Sequence, residues 1–233
     1  MLPYIHMSNE IDPRKTIARA ILTRGAMTVC PDAPIRWASG YAMPIYIDNR
    51  CLIGYADVRA AIAEAFTEMI SISAERYDAI AGVATGAIPH ATTLADRLKL
   101  PLLYIRAKPK DHGQGRQIEG DIPGGLSGKR ILVIEDTIST GSSAINAIEA
   151  VRREGALVPV CAAIYHYDIP GKPSRFTHMD PECRLMPLIT FPYLLEVARE
   201  ENLLTIEILA LLEHWYADPF AWGANHGFPP LTQ

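Results

Sequence analysis

The segment ILVIEDTISTGSSAINAIEAVRREGA (131–156) constrains this chain more than any other. Four apolar residues (131–134) are too short for a helix and too apolar for a half-exposed strand, so they predict a strand buried on both faces. Two acids, Glu135 and Asp136, follow at its end. The loop TISTGSS (137–143) then opens directly into an amphipathic pattern that predicts a helix from about 140 to 154, stopped before Gly155. A buried strand running through a short loop into a helix is the building block of a parallel α/β sheet.

The loop carries its own chemistry. The first backbone N–H groups of a helix have no intrahelical partner, and the helix dipole is positive at that end. Thr137, Ser139, Thr140, Ser142 and Ser143 add hydroxyl donors, and Ile138 and Gly141 add further backbone amides. Together they form a cradle for a phosphate. The carboxylates of Glu135 and Asp136 would repel that phosphate, but they suit the vicinal hydroxyls of a sugar. A phosphorylated sugar satisfies both halves. Neither GxxxxGK[ST] nor GxGxxG is present, so a P-loop and a dinucleotide fingerprint are both excluded.

Other segments fit the same alternation. Helices are predicted over 10–25, 55–73 and 88–99, strands over 44–48, 79–85, 102–106, 156–167 and 184–190, and two closing helices around 192–200 and 203–216. Sheets of this type bind ligands beyond the carboxyl ends of their strands, which directs attention to the loops after residues 84, 106, 136 and 166. The turn after 83 offers Ala84, Thr85 and Gly86, small enough for close backbone approach to an anion. Segment 107–125 has five glycines, two prolines and few apolar residues, a long loop of the kind that is usually functional. Arg106, Lys108, Lys110, His112 and Arg116 bring positive charge to it.

Composition narrows the class. With 233 residues, 49% hydrophobic and 21% charged, the chain fits one globular domain and is neither a disordered tail nor a coiled coil. Uncharged stretches are interrupted by glycine and proline, so no spanning helix is expected and no membrane partner with it. The net charge of −4 argues against nucleic acid as a partner. Cys30, Cys51, Cys161 and Cys183 lack zinc-site spacing and read as free thiols. The N-terminus lacks the apolar core of a signal peptide, and a cytoplasmic location is the expectation. His90 reads as a structural residue, and Trp215, Phe220 and Trp222 as packing residues.

The 131–143 string resembles the phosphoribosyl diphosphate (PRPP) motif of type I phosphoribosyltransferases: an apolar strand, two acids and a Thr/Ser/Gly loop. Three more segments resemble the orotate phosphoribosyltransferases within that family. KPKDHGQGRQIEG (108–120) is similar to their mobile catalytic loop, IRWASGYAMPIYIDNR (35–50) to their N-terminal hood, and GVATGAIPH (82–90) to their diphosphate-binding turn. The resemblance covers nearly the whole chain. It implies one phosphoribosyltransferase domain: a mostly parallel central sheet flanked by helices, a core over about 55–190, closing helices over 191–233, and a hood built from about 1–54 plus C-terminal elements.

The resemblance also implies site roles. Lys110, His112 and Asp111 would be catalytic, and Arg106, Lys108, Thr85 and Gly86 would serve the diphosphate. Glu135, Asp136 and the loop Thr137, Ile138, Ser139, Thr140, Gly141, Ser142 and Ser143 would bind the rest of PRPP. Ser139, Ser39 and Gly40 would contact orotate. Mg²⁺ would be held mainly by PRPP rather than by the protein. The 107–120 loop would act in trans across a homodimer.

Three departures stand out. Ala38 replaces the lysine that many members carry before Ser-Gly, Ala107 replaces a second basic residue, and 165–168 reads Tyr-His-Tyr-Asp where many carry an arginine for the orotate carboxylate. The implied activity is transfer of ribose 5-phosphate from PRPP to orotate, a step of pyrimidine biosynthesis. Two other readings stay open. A PRPP-binding regulator would lack the 106–120 cations and would carry a DNA-binding module, for which this chain has no spare length. A purine phosphoribosyltransferase would share the phosphate loop but not the KPKDHG segment or the hood.

Overall fold

The structure is a computed structural model and describes residues 12–37, 40–73, 75–109, 117–171 and 175–229. Helix α1 (Pro13–Thr23) starts at Asp12, whose side chain accepts from the Arg14 N–H at 2.9 Å. Four short strands follow: β1 (Met27–Val29), β2 (Ile35–Arg36), β3 (Ala42–Met43) and β4 (Ile45–Ile47). They form two antiparallel ribbons, β1 with β4 and β2 with β3. A 3-10 turn (Asn49–Gly54) leads into α2 (Ala56–Ser73).

The central sheet begins with β5 (Ala79–Val83), then α3 (Ile88–Leu98), β6 (Leu102–Ile105) and β7 (Ile118–Glu119). It continues through β8 (Arg130–Ile138), α4 (Ser142–Arg153), β9 (Leu157–His166) and β10 (Arg184–Thr190). The chain closes with α5 (Phe191–Glu200), α6 (Ile206–Ala217) and α7 (Pro219–Asn225). The six strands lie in the order β10-β9-β8-β5-β6-β7, and all pairs are parallel except β6 with β7.

From β5 the chain moves to β6 on one side and later returns to place β8 on the other. The strand order therefore reverses between β5 and β8. A crevice opens at such a point, beyond the carboxyl ends of the two strands. Those ends are the Ala84–Gly86 turn and the 137–143 loop.

Alternation along β5 and β8 divides the core into two faces. Ile80, Leu132 and Ile134 pack toward α1, α2, α3 and α5, whereas Ala79, Ala81, Ile131 and Val133 pack toward α4. Both faces are apolar, as a sheet covered on both sides requires.

Four expectations are corrected. The stretch 107–125 is not wholly loop, because β7 pairs with β6 through Ile105↔Ile118 and Tyr104↔Glu119. Two residues are too few to show alternation in a sequence. The acids do not end their strand, since β8 stays paired with β9 as far as Ile138↔His166. Helix α4 begins at Ser142 rather than 140. A third closing helix, α7, lies beyond α6 and was hidden by Pro219, which sits in its first turn.

Helix α7 belongs with the N-terminal strands. A Cβ on Gly223 would lie 3.0 Å from the Ala42 carbonyl oxygen. Trp215 of α6 is fully buried and joins these parts. Its Nε1 donates to the Met43 sulfur at 3.3 Å, and its ring meets Phe191, Tyr167 and Trp37 edge-on.

Candidate active site

A cavity of about 560 Å³ lies at the reversal point. One wall is Ala84, Thr85 and Gly86, another is Glu135, Asp136, Thr137, Ser139 and Ser143, and the third comes from the N-terminal strands and Tyr167. The sheet and the ribbons thus face each other across it.

The pleat sends the two acids in opposite directions. Glu135 shares the face of Val133 and points toward α4, where its Oε2 accepts from Ser143 Oγ at 3.2 Å and its Oε1 from the Asp136 N–H at 3.1 Å. It is 5% exposed, and burial holds its carboxyl well above the usual range, with the neighbouring Asp136 adding to the effect. Asp136 shares the face of Ile134 and turns toward the 84–86 turn. A Cβ on Gly86 would sit 2.2 Å from Asp136 Oδ2, so the absence of a side chain there lets the carboxylate lie against the backbone. Ala84–Thr85 is a cis peptide.

Asn49 ties the 3-10 turn to the last residues of β8. It is fully buried, and its Nδ2 donates to the Asp136 carbonyl at 2.9 Å and to Thr137 Oγ1 at 3.0 Å. His90 lies in the first turn of α3, after the 84–86 turn, 1% exposed, with neither ring nitrogen hydrogen-bonded among the described residues. Burial pushes its pKa down to about 4, so it is neutral, with the Asp136 charge opposing that shift.

The phosphate loop has the features of an anion cradle. Gly141 has φ +79° and caps α4 without a side-chain hydrogen bond, leaving the first N–H groups of the helix without a side-chain cap. A Cβ at this position would meet the Phe176 ring at 2.8 Å, which is a second reason for glycine. Thr140 Oγ1 and Ser142 Oγ lie 3.3 Å apart, and Arg175 Nη1 donates to Ser142 Oγ at 2.7 Å. Ile138 is buried, so its contribution to a ligand would be through the backbone.

The wall facing the sheet is aromatic and basic. Trp37 and Tyr167 have ring centroids 4.6 Å apart, and the Tyr167 hydroxyl accepts from the Ile47 N–H at 3.0 Å. Tyr46, Asp48, Arg36 and Arg50 complete this wall. Arg50 grips Asp48 with Nε and Nη2 at 2.6 and 2.8 Å, which holds the Asp48 carboxyl below the usual carboxylate range.

Of the residues expected from the sequence, Thr85, Gly86, Glu135, Asp136, Thr137, Ser139 and Ser143 meet at this cavity. Ile138, Thr140, Gly141 and Ser142 belong to the adjoining loop rather than to its lining. Gly40 is off the cavity, its carbonyl accepting from Arg36. Arg106 and Lys108 do not line the cavity, and Arg106 Nη1 lies 3.8 Å from Glu119 Oε1. Lys110, Asp111, His112, Arg116 and Ser39 lie outside the described residues. Sequence reasoning did not single out Arg36, Trp37, Tyr46 or Asn49 as site residues. Each stands in the string that resembled the hood, but nothing local marks which of that string's side chains face the ligand.

Residues 53–179 match the phosphoribosyl transferase domain. The chain is 41% identical over 210 residues to the orotate phosphoribosyltransferase of Levilactobacillus brevis, a match spanning 90% of this chain and 98% of that one. The chain belongs to the orotate phosphoribosyltransferase family. It is similarly 43% identical over 209 residues to the Enterococcus faecalis enzyme, across 90% and 97% of the two chains. Among solved structures, the orotate phosphoribosyltransferase of Aeropyrum pernix superposes with a TM-score of 0.64 at 28% identity, over 81% of this chain and 99% of that one. The Aeropyrum pernix structure shares the fold described above.

Proposed function

We infer that the protein transfers ribose 5-phosphate from PRPP to orotate, forming orotidine 5′-monophosphate and diphosphate. One observation carries this reading: end-to-end similarity to orotate phosphoribosyltransferases coincides with one cavity joining a phosphate loop to an aromatic, basic wall. In this reading the 137–143 loop holds the 5-phosphate, Asp136 and Glu135 serve the ribose hydroxyls, and the 84–86 turn receives the diphosphate. Orotate lies against the wall that contains Ser139.

The bond broken joins the anomeric carbon to a diphosphate oxygen, and the bond formed joins that carbon to a pyrimidine nitrogen. The sugar gains oxocarbenium character on the way. The chain's first task is to hold the ribose still at its phosphate and hydroxyls. Its second is to stabilise negative charge on the leaving diphosphate, which falls to Lys110, His112, Arg106 and Lys108, with Asp111 among them. Among the described residues no group of three metal-ligating side chains comes together. Mg²⁺ would be carried mainly by the oxygens of PRPP, with the Asp136 carboxylate facing the same cavity. The ion would neutralise diphosphate charge.

Arg106 and Lys108 do not line the cavity of their own chain, and the likeness of the 107–120 loop to the family's catalytic loop supports a homodimer in which it serves the partner's site. Mixing a Lys110→Ala subunit with an Asp136→Asn subunit tests this. Recovered activity is expected, and a mixture as inactive as its parents would refute action in trans. No helix among the described residues is long and apolar enough to cross a membrane, and the reading places the enzyme in the cytoplasm. For the reaction itself, incubation with PRPP, orotate and Mg²⁺ is expected to consume orotate and release diphosphate in equal amounts. Diphosphate release without orotate loss would contradict it.

A further inference from the structure

The acceptor base is an anion at neutral pH, and its carboxylate needs donors when it leaves water, the strongest being a cation. The end of β9 offers none. Tyr167 already uses its hydroxyl as an acceptor, and burial keeps His166 below its usual pKa and so neutral at pH 7. Among the described residues lining the cavity, the cations are Arg36 and Arg50.

These two arginines differ in what they are bound to. Arg50 presents its Nε–Nη2 edge to Asp48, so its charge is compensated and that edge is taken. Arg36 donates through Nη1 to two backbone carbonyls, Gly40 at 3.2 Å and Pro229 at 3.0 Å. Those acceptors are neutral, and neither contact uses Nε or Nη2. No carboxylate pairs with Arg36 among the described residues. Its guanidinium is therefore oriented at one corner, uncompensated in charge, and next in sequence to Trp37, whose ring packs on Tyr167.

We propose that Arg36 is the residue that binds the orotate carboxylate and selects orotate over bases that lack it. A guanidinium fork matches a carboxylate with two parallel hydrogen bonds, and a flanking aromatic ring suits a planar heterocycle. The carbonyls of Gly40 and Pro229 tie this arginine to the turn before β3 and to the segment after α7, so the selector is set in place by the packing of both chain ends. This rests on orotate as the acceptor.

The test compares two products that differ only by the carboxylate, orotidine 5′-monophosphate and uridine 5′-monophosphate. Dissociation constants are measured on the full-length protein, on Arg36→Gln and on Arg36→Lys. Gln keeps a donor for the two carbonyls and removes the charge; Lys keeps the charge and loses the fork. The expected result is that Arg36→Gln weakens orotidine 5′-monophosphate about 10- to 100-fold, the scale of a hydrogen bond to a charged group. Uridine 5′-monophosphate should change by less than about twofold, and Arg36→Lys should restore part of the loss. Equal weakening of both nucleotides would make Arg36 merely structural and overturn the proposal, as would unchanged binding of orotidine 5′-monophosphate. If the unaltered protein itself fails to prefer orotidine 5′-monophosphate to uridine 5′-monophosphate, the orotate reading falls instead. That outcome differs visibly from loss of the arginine's role alone.

Discussion

The two ends of the cavity are built on different plans. The phosphate end comes from one unbroken stretch, the last residues of β8, the 137–143 loop and the start of α4, and its donors are backbone amides and small hydroxyls. The base end is collected from β2, β4, the start of the 3-10 turn and the end of β9, and its groups are large rings and guanidinium ions. The first needs little beyond correct local geometry. The second exists only when distant segments pack, with Trp215 and α7 behind them. A loop of amides and hydroxyls recognises a phosphate whatever is attached to it, so choice among bases falls to the end assembled by tertiary contacts.

The largest effect should come from breaking the base end at its support. Trp215 is fully buried and touches Met43, Phe191, Tyr167 and Trp37. Trp215→Ala should cost about 3–5 kcal/mol of folding stability, the usual range for a large aromatic removed from a core. Where the variant still folds, the KM for orotate should rise more than the KM for PRPP. Chemical denaturation and steady-state kinetics read both. A loss under about 1 kcal/mol, or equal changes in both KM values, would mean that the base wall does not depend on this ring.

A smaller effect, confined to the phosphate and ribose side, is expected from Gly86→Ala. The new methyl would collide with the Asp136 carboxylate, which is the end of a side chain and can move aside. Stability should change little. A displaced carboxylate should lower kcat/KM for PRPP by up to about 10²-fold, the scale for a catalytic-site misplacement of about 1 Å. Normal kinetics with PRPP would show that the position of Asp136 against this turn is unimportant.

The same contrast governs what could be read from the sequence. The phosphate loop was legible because strand, acids, hydroxyls and helix follow one another, so local rules suffice. The central strands were legible because parallel strands buried on both faces are written as apolar runs such as Ile131–Ile134. Strands β1, β2 and β3 span only two or three residues, too short for periodicity, and none of them was read. The roles of Arg36, Trp37 and Asn49 depend on partners such as Pro229, Tyr167 and Asp136, far away along the chain. The opposite orientation of Glu135 and Asp136 follows from strand alternation once β8 is known to extend past them. Reading the acids as the end of the strand concealed it.

The measurement that bears most directly on this division is a base panel at fixed PRPP and Mg²⁺. Orotate, uracil, adenine and hypoxanthine are supplied in parallel, and consumption of each is followed by absorbance. The account predicts rapid turnover of orotate and at most slow turnover of the other three. Comparable turnover of uracil would contradict a base end built around a carboxylate, and preference for a purine would overturn the orotate reading while leaving the phosphate loop in place.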